Sequence, residues 1–325
     1  MQMTRALGST GLHLTELSFG GAAIGGLYAP VARDQAMAAM QAAWDEGMRY
    51  FDTAPFYGFG LSERRIGDFL RDKTGYVLST KVGKLLRAVP QDQVPDYGFV
   101  EPLPFAVDFD YSYDAIMRSY EFSLARLGLN KIDILYVHDL EVRNLGDAYA
   151  SHFANFMDGG LRALQALKSS GAIAAYGLGF NEVSAVLAVM DRAKMDCLLL
   201  AGRYTLLDRT GAADVMPKCL AAGTGVIIGG VFNSGILATG AVPGAHFDYG
   251  PARADIVARV NGMEAVAQAQ GTTLPAAAMR FALDHPAVAS VLVGSAKAGS
   301  LTRNAALLRD APALDWSPFD ALTIS

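Results

Sequence analysis

Side chains that can move a proton fall at or just beyond the ends of consecutive predicted strands. Asp52 follows the second strand and Tyr57 lies in the loop after it, whereas Lys81 ends the third strand and His138 ends the fourth. A free phenol has a pKa of about 10, and we expect a neighbouring ammonium to lower that pKa by stabilising the phenolate. Tyr57 is therefore the predicted acid/base, and Lys81 is the charge that tunes it.

Asp52 and His138 complete the predicted set. We expect the Asp52 carboxylate to pair with Lys81, and the His138 imidazole to hydrogen-bond to the substrate oxygen and orient it. The set suits proton transfer to or from an alkoxide. Because no protein side chain offers a hydride, a redox reaction here needs a cofactor.

Each of these four residues also has a plain structural interpretation. Asp52 could cap a turn, Tyr57 could be a half-buried aromatic, and Lys81 could be a solvated charge. His138 could be a strand-end histidine with its hydrogen bonds satisfied. Four ionisable groups at equivalent positions of adjacent strands are harder to explain that way, since unpaired charges at an apolar rim are costly.

Short apolar runs with β-branched or aromatic residues alternate with longer segments of helical periodicity. The predicted strands are 16–20, 49–52, 76–81, 132–138, 173–179, 197–201, 225–229 and 288–293. The predicted helices are 33–46, 62–71, 113–127, 160–169, 182–193, 210–221, 252–270 and 299–308, with an additional helix at 274–284. This alternation, without a linker, predicts a closed (β/α)8 TIM barrel in a single domain over residues 1–325 rather than a doubly wound sheet.

The connections at the two ends of the predicted barrel indicate how one end is closed and where the substrate binds. The turn at residues 8–11 predicts a small hairpin that caps the barrel. Three longer connections, 84–112, 140–159 and 231–251, follow the third, fourth and seventh strands and contain many aromatic residues. In a barrel these segments emerge at the carboxyl ends of the strands, so we expect them to form the walls of a substrate pocket.

Composition excludes several classes of function. The 325 residues carry 27 basic and 32 acidic side chains, a net charge of -5, with no basic run that marks a nucleic-acid or membrane surface. No segment reaches the roughly 18 to 20 apolar residues of a membrane span, and residues 1–17 lack the apolar segment of a signal peptide. Cys197 and Cys219 lack the spacing of a metal or redox site, so they are predicted to be idle thiols in a cytoplasmic protein.

At the positions of this predicted set, the sequence resembles the aldo-keto reductase family. The segment FDTAPFYG at 51–58, with Gly60, Glu63 and Gly67 after it, is similar to the family's signature around its catalytic aspartate and tyrosine. The segment STK at 79–81 matches its lysine, and DILYVH at 133–138 matches its histidine. The resemblance extends from about residue 5 to 304 and implies a barrel whose hairpin closes the bottom. It also implies an NAD(P) cofactor bound in an extended form across the top.

The resemblance assigns cofactor contacts to three regions of the chain. Gly21 and Ala22 fall where the backbone approaches the cofactor, and Asp52 counts among the contacts as well. The loop over the pyrophosphate matches Ser234, Gly235, Ile236 and Leu237. The adenosine-phosphate segment, which opens the last helix, matches Gly294, Ser295, Lys297, Ser300 and Asn304. An anion at a helix amino terminus has a physical basis in the free N–H groups there.

The sequence departs from the family where the nicotinamide is usually held. Many relatives have Ser-Asn after the fifth strand, whereas this chain has Gly-Phe at 179–180, and the family's glutamine and stacking tyrosine fall on Ala201 and Gly229. Four residues are the candidates to replace them: Asn181, Arg203, Tyr204 and Phe232. Ser300 stands where many relatives carry an arginine for the 2′-phosphate, which favours NAD over NADP.

Segments 108–113, 137–139 and 200–207 look most like one branch of the family, which contains aldose 1-dehydrogenases acting on L-fucose, L-galactose or D-arabinose, and pyridoxal 4-dehydrogenase. The resemblance implies oxidation of a cyclic hemiacetal to a lactone with NAD, with Tyr57 as the base. Three alternatives stay open: an NADPH-dependent aldehyde reductase, a cofactor-binding regulatory subunit with little turnover, and an aldolase-like barrel that forms a Schiff base at Lys81. The sequence predicts a small carbonyl or hemiacetal substrate and gives no prediction of oligomeric state.

Overall fold

Eight parallel strands close into a barrel in the computed structural model, which describes residues 2–325. The strands are Leu17–Gly20, Tyr50–Asp52, Val77–Val82, Ile134–His138, Ala175–Phe180, Cys197–Ala201, Gly225–Gly229 and Val288–Val293. Strands that follow one another along the chain are neighbours in the barrel, and the last strand pairs with the first through Val291 and Leu17. The predicted (β/α)8 barrel is thus confirmed, with strand ends that differ from the prediction by at most two residues.

Helices surround the barrel and follow the predicted rhythm. They span Arg33–Asp45, Leu61–Leu70, Tyr113–Leu127, Leu161–Ser169, Val183–Met190, Val215–Ala222, Ala254–Ala269, Leu274–Leu283 and Ala298–Arg309. The largest error is the sixth, which was predicted from residue 210 and begins at Val215. Asp208 causes the delay, because its carboxylate accepts hydrogen bonds from both the backbone and the hydroxyl of Thr210 and holds that residue in a turn.

Two layers of apolar side chains form the core. One layer lies between the strands and the helices, and the other fills the interior of the barrel with residues such as Tyr50, Tyr136 and Ile227. Leu7 and Leu14 belong to the interior layer. Leu7 follows the first strand of the hairpin formed by Thr4–Ala6 and His13–Thr15, and Leu14 lies in the second, so this hairpin closes the amino end of the barrel as predicted.

The long connections contain more structure than the sequence predicted. Segment 84–112 carries an antiparallel hairpin of Lys84–Ala88 with Phe105–Phe109. Segment 140–159 contains the short helices Val142–Leu145 and Tyr149–Asn155, and segment 231–251 contains the short helix Ile236–Thr239. These elements depend on contacts across the mouth of the barrel, which local periodicity does not reveal.

Among residues 2–325, no helix combines the length and the apolar character needed to cross a bilayer. The cytoplasmic location and the single domain over residues 1–325 stay predictions. Cys197 and Cys219 are buried free thiols.

Candidate active site

Lys81 and Asp52 form an ion pair at the carboxyl end of the second and third barrel strands. The Lys81 Nζ lies 2.6 Å from Asp52 Oδ2 and donates a second hydrogen bond of 2.9 Å to the carbonyl of Thr53. Ser79, the register partner of Asp52, donates to Asp52 Oδ1 at 2.6 Å. Both members of the pair are buried, and every donor is fixed by a strand, so the pair is oriented by the barrel itself.

A chain of hydroxyl groups supports this pair from the barrel interior. The Tyr50 hydroxyl lies 2.9 Å from Ser79 Oγ and 3.1 Å from the hydroxyl of Tyr136. Burial raises the pKa of both phenols well above the usual range, so they stay neutral donors. The network fixes Ser79 and, through it, the carboxylate of Asp52.

Tyr57 lies beside this pair, as the sequence predicted. The Lys81 Nζ is 4.7 Å from the centre of the Tyr57 ring. However, the expectation that Lys81 lowers the pKa of Tyr57 is wrong: burial raises that pKa well above the usual range, and the charges of Asp52 and Asp139 raise it further. Burial is the main cause of the rise, and the Lys81 charge is itself paired with Asp52. Tyr57 is therefore a neutral phenol, the form that can donate a proton to a strongly basic oxyanion.

His138 faces Tyr57 across the mouth of the barrel. The two ring centres are 5.9 Å apart and the planes are perpendicular. The Tyr111 hydroxyl donates a hydrogen bond of 2.7 Å to the His138 carbonyl and fixes the end of the fourth strand. Burial, together with the charges of Lys84 and Lys81, holds the pKa of His138 well below its usual range, so the imidazole is neutral. A neutral imidazole can donate one hydrogen bond to a substrate oxygen without adding charge.

A second buried ion pair, which the sequence reasoning missed, lies next to His138. The Lys84 Nζ is 2.5 Å from Asp139 Oδ2, and it lies 3.9 Å from the centre of the Phe56 ring. Asp139 Oδ2 is 3.5 Å from His138 Nε2, and Asp139 Oδ1 accepts a hydrogen bond of 3.2 Å from the Asn181 amide. The sequence places both residues close to the predicted set, since Lys84 follows Lys81 by three positions and Asp139 adjoins His138, but it does not indicate that the two pair.

Aromatic side chains from two connections form one wall of the site. Phe56, in the loop that carries Tyr57, contacts Tyr97 and Phe99 with ring centres 5.3 and 5.5 Å apart. Phe99 also contacts Tyr57 at 6.4 Å. The prediction that segment 84–112 lines the pocket is therefore supported at these positions, whereas Phe156 of segment 140–159 is buried in the core under the helices.

Segment 231–251 crosses the mouth of the barrel and is held there by charge. Asp248 accepts hydrogen bonds from Arg143 at 3.1 Å and from Arg203 at 2.9 Å, which belong to the connections after the fourth and sixth strands. The hydroxyl of the neighbouring Tyr249 donates to Asn181 Oδ1 at 3.3 Å. This bridging segment thus reaches the polar groups beside His138.

The sequence pattern of the Aldo/keto reductase family matches residues 16–323 of this chain. The chain belongs to the aldo/keto reductase family. As a member of it, this protein is an oxidoreductase that uses a nicotinamide cofactor, which supplies or accepts the hydride when it is bound.

Several curated proteins are similar to this aldo/keto reductase over most of their length. A pyridoxal 4-dehydrogenase from Microbacterium luteolum is 45% identical over 301 residues, which cover 89% of this chain and 88% of that protein. A D-threo-aldose 1-dehydrogenase from a Pseudomonas species is 37% identical and covers 92% and 91% of the two chains. The solved structure of an aldo-keto reductase from Bacillus halodurans in its holo form has a TM-score of 0.78 at 21% identity, covers 99% and 97% of the two chains and supports the fold alone.

The ends of the seventh and eighth strands fit the cofactor of this aldo/keto reductase. Asn233, Ser234 and Gly235 have left-handed φ values of 44°, 60° and 99°, and a side chain built on Gly235 would meet no atom within 4 Å. Gly294 is exposed, and a side chain there would come within 3.2 Å of the Gly20 carbonyl. Open backbone of this kind leaves room for a phosphate beside Ser234, Gly235 and Gly294.

The predicted cofactor positions near the last helix lie among polar groups. Ser300 and Asn304 are half-buried in the first turns of the last helix, and Arg303 donates to the Ser300 hydroxyl at 3.4 Å. At the start of that helix, the Ser295 hydroxyl accepts the N–H of Lys297 at 3.0 Å. These polar groups surround one helix amino terminus, as an anion site requires.

Several predicted contact residues contribute packing. A side chain on Gly21 would lie 2.5 Å from the Ser62 hydroxyl, so its bare backbone is needed against the helix, whereas Ala22 is half-buried beside it. Ile236 and Leu237 are buried, and their N–H groups donate to Asn233 and Phe232.

Among the four candidates to hold the nicotinamide, the structure brings Asn181 to the site. Tyr204 is buried, and its ring stacks on Phe281 with centres 5.3 Å apart in the helical layer. Phe232 packs against the same outer core. Arg203 donates to the Asn181 carbonyl at 2.7 Å and to Asp208 and Asp248, so it supports Asn181 and the bridging segment.

Proposed function

We propose that this aldo/keto reductase oxidises a cyclic hemiacetal to a lactone, with NAD as the hydride acceptor. The observation that carries the proposal is the similarity to a pyridoxal 4-dehydrogenase and a D-threo-aldose 1-dehydrogenase, each at more than 35% identity over about nine tenths of both chains. An aldose, and a pyridoxal whose side-chain hydroxyl closes onto its aldehyde, both present a hydroxyl and a hydrogen on one carbon. Losing both yields a lactone.

The four residues at the barrel mouth have complementary roles in this proposal. The oxidation starts from the Tyr57 phenolate, whose own proton has first passed to solvent; this phenolate takes the proton from the hemiacetal hydroxyl, and the Nε2–H of neutral His138 donates a hydrogen bond to the same oxygen. A bound nicotinamide would accept the hydride from that carbon, and the electron pair of the broken O–H bond would form the carbonyl. Lys81, held by Asp52, stabilises the negative charge on the Tyr57 oxygen while it is deprotonated.

The cofactor contacts proposed for this chain lie at the strand ends and at the helix amino terminus described above. The backbone at Gly294, Ser234 and Gly235 would lie against the phosphates, while the buried Ile236 and Leu237 hold that loop by packing. Asn181 would hold the carboxamide, and Ser295, Lys297, Ser300 and Asn304 would surround the adenosine end. Ser300 offers only a hydroxyl at the position where an arginine guanidinium would pair with the 2′-phosphate of NADP, which supports NAD as the cofactor.

A second function has one observation in its favour. Because burial keeps Tyr57 protonated, the phenol is already in the form that protonates an alkoxide, as an aldehyde reductase requires. Reduction of a simple aldehyde with NADPH is therefore the alternative.

A matrix of substrates and cofactors separates the two functions. L-galactose, L-fucose, D-arabinose and pyridoxal are incubated with NAD or NADP, and propionaldehyde with NADH or NADPH, while the absorbance of the reduced nicotinamide is followed. We expect oxidation of at least one hemiacetal with NAD at the highest kcat/KM in the matrix. The highest kcat/KM for propionaldehyde with NADPH would replace the proposal by its alternative.

A further inference from the structure

The Lys84 and Asp139 pair has no role in the proton transfer described above, yet it lies against the reacting groups. Asp139 Oδ2 is 3.5 Å from His138 Nε2, the atom that faces the substrate oxygen in the proposed function. That distance is too long for a strong hydrogen bond, so the imidazole N–H stays free for substrate. A substrate oxygen bound to His138 therefore lies next to the Asp139 carboxylate.

A buried ion pair of this kind is costly for folding alone. The side chain of Lys84 is 1% exposed and that of Asp139 is 10% exposed. Removing two charges from water costs several kcal/mol each, and apolar side chains of similar volume often give equal or greater stability. The backbone of Asp139 also has a left-handed φ of 48°, which is uncommon outside glycine. The surroundings therefore hold a carboxylate at the mouth of the barrel at some expense.

The hydrogen bonds that the Asp139 carboxylate can still accept indicate which chemical group it binds. An ionised carboxylate accepts about four hydrogen bonds, and here Oδ2 accepts one from Lys84 and Oδ1 accepts one from Asn181. Free lone pairs next to His138 call for an additional donor. The unused lone pairs of the carboxylate suit a neutral hydroxyl rather than a cation, because Lys84, which lies against the Phe56 ring, already balances the negative charge.

We propose that Asp139, held in place by Lys84, binds a substrate hydroxyl close to the reacting carbon and makes the enzyme select hydroxylated substrates over simple aldehydes. In an aldose this is the hydroxyl on the carbon next to the anomeric carbon. In pyridoxal it is the ring hydroxyl beside the aldehyde-bearing position, in the tautomer that carries the proton on that oxygen. The inference rests on the proposed function and specifies the chemical group by which that site recognises its substrate.

Paired substrates that differ by this hydroxyl provide the test. The kcat/KM of the wild type is measured for L-galactose against 2-deoxy-L-galactose and for pyridoxal against 3-deoxypyridoxal. A hydrogen bond to a charged acceptor is worth about 1.5–3 kcal/mol, so we expect the deoxy compound of the accepted pair to be about 10- to 100-fold poorer. In Asp139→Asn we expect this ratio to shrink about tenfold, mainly through loss of activity on the hydroxylated substrate. Asparagine tolerates a left-handed backbone, which makes it the least disruptive change.

Further variants separate recognition from stability. Lys84→Met combined with Asp139→Asn removes both charges, and we expect the same reduced ratio in a protein that still shows a cooperative thermal transition. Asp196→Asn is the matched control, since Asp196 pairs with Lys168 at 2.6 Å at the opposite end of the barrel. Its ratio should equal that of the wild type.

The outcomes distinguish this inference from the proposed function. If the wild type oxidises no hemiacetal but reduces aldehydes, the proposed function fails, and the ratio is measured with lactaldehyde against propionaldehyde instead. Equal kcat/KM for the two members of the accepted pair, or a ratio that Asp139→Asn leaves unchanged, would overturn the role of Asp139 in either direction of reaction.

Discussion

The ammonium nitrogen of Lys81 lies 2.6 Å from a carboxylate oxygen of Asp52, and neither side chain is more than 4% exposed. Because the two opposite charges are paired, the field that Lys81 exerts on the nearby phenol of Tyr57 is weaker than that of a lone ammonium. Burial then dominates the pKa of Tyr57 and raises it. The ion pair positions the site without deprotonating the phenol.

Tyr57→Phe is the direct test of the proton carrier. The ring and its contact of 5.9 Å with His138 are retained, and only the hydroxyl is lost. We expect turnover to fall roughly 10²- to 10⁴-fold, the usual contribution of a positioned acid/base, with cofactor affinity within about twofold of wild type. Steady-state kinetics and fluorescence titration with the reduced cofactor measure the two effects. Turnover within threefold of wild type would assign the proton to another group.

Asp52→Asn tests how much the Asp52 charge stabilises the buried ammonium of Lys81. It leaves the ammonium of Lys81 buried without its counter-charge and with only neutral acceptors such as the Thr53 carbonyl, so we expect the free energy of unfolding to fall by about 3–5 kcal/mol. The double variant Asp52→Asn with Lys81→Met removes both charges and should recover much of that loss while staying inactive. Urea unfolding curves provide the measurement. A single variant as stable as wild type would mean that water or another group satisfies Lys81.

The strands and the four central residues could be predicted from the sequence because both follow from local pattern. Apolar runs with β-branched residues mark the strands, and parallel strands bring their carboxyl ends to one rim. Asp52 and His138 each end a strand, Lys81 is the penultimate residue of another, and Tyr57 lies five residues after Asp52, so their proximity needed no knowledge of packing.

The remaining features depend on contacts between distant segments. Lys84 and Asp139 are 55 positions apart, and nothing in either local sequence indicates that the pair is buried. Tyr204 was a candidate for the cofactor site, but stacking on Phe281 places it in the helical layer. The direction of the pKa shift of Tyr57 depends on the balance of burial and paired charges, which only the folded arrangement determines.

Glu141 should make stability depend on pH. Burial raises its pKa from 4.5 to about 7, and the charge of Asp139 raises it further, while the N–H groups of Glu182 and Asn181 lower it. A group whose pKa is raised on folding contributes stability that is present below its unfolded pKa and is lost as the pH rises to the folded pKa. We therefore expect the contribution of Glu141 to fall between about pH 4.5 and 7 by an amount on the order of 3 kcal/mol.

Glu141→Gln isolates this effect. The amide keeps an acceptor for the two backbone N–H groups and does not ionise. The melting temperature of the variant should therefore fall less than that of the wild type between about pH 4.5 and 7. Calorimetric melts of both proteins across this range give the comparison. Parallel curves for the two proteins would show that the carboxyl titrates alike in the folded and unfolded chains.

Asp248 should control how quickly the cofactor leaves. Its bonds to Arg143 and Arg203 hold segment 231–251, which includes the proposed pyrophosphate loop, across the barrel mouth. Exposed ion pairs contribute up to about 1 kcal/mol each, so Asp248→Asn should speed cofactor dissociation about fivefold with little change in thermal stability. Stopped-flow displacement measures the rate.

Asp255→Asn is the matched control for this change, because it removes an exposed carboxylate paired with Arg253 at 2.9 Å outside the bridging segment. The wild type should approach the Asp248→Asn rate at about 1 M salt, where screening is nearly complete over a few ångströms. Equal dissociation rates for wild type and Asp248→Asn at low salt would contradict the role of the bridge.

Ser300→Arg should convert the cofactor preference. Ser300 lies in the first turn of the helix Ala298–Arg309, beside the exposed Arg303 and Lys297. A guanidinium there can form paired hydrogen bonds with a 2′-phosphate, and charge-assisted bonds contribute about 1.5–3 kcal/mol. We expect the affinity for NADPH to rise roughly 10- to 100-fold, while the affinity for NADH changes little.

Thr302→Arg controls for the added charge itself, because Thr302 is exposed two positions along the same helix and therefore faces a different side. Its preference should stay close to that of wild type, apart from a small electrostatic gain that disappears at high salt. Equilibrium titrations of both variants with NADH and NADPH give the four dissociation constants. If Ser300→Arg binds NADPH no better than Thr302→Arg does, the 2′-position of the adenosine ribose lies elsewhere, and the proposed path of the cofactor over the last helix is wrong.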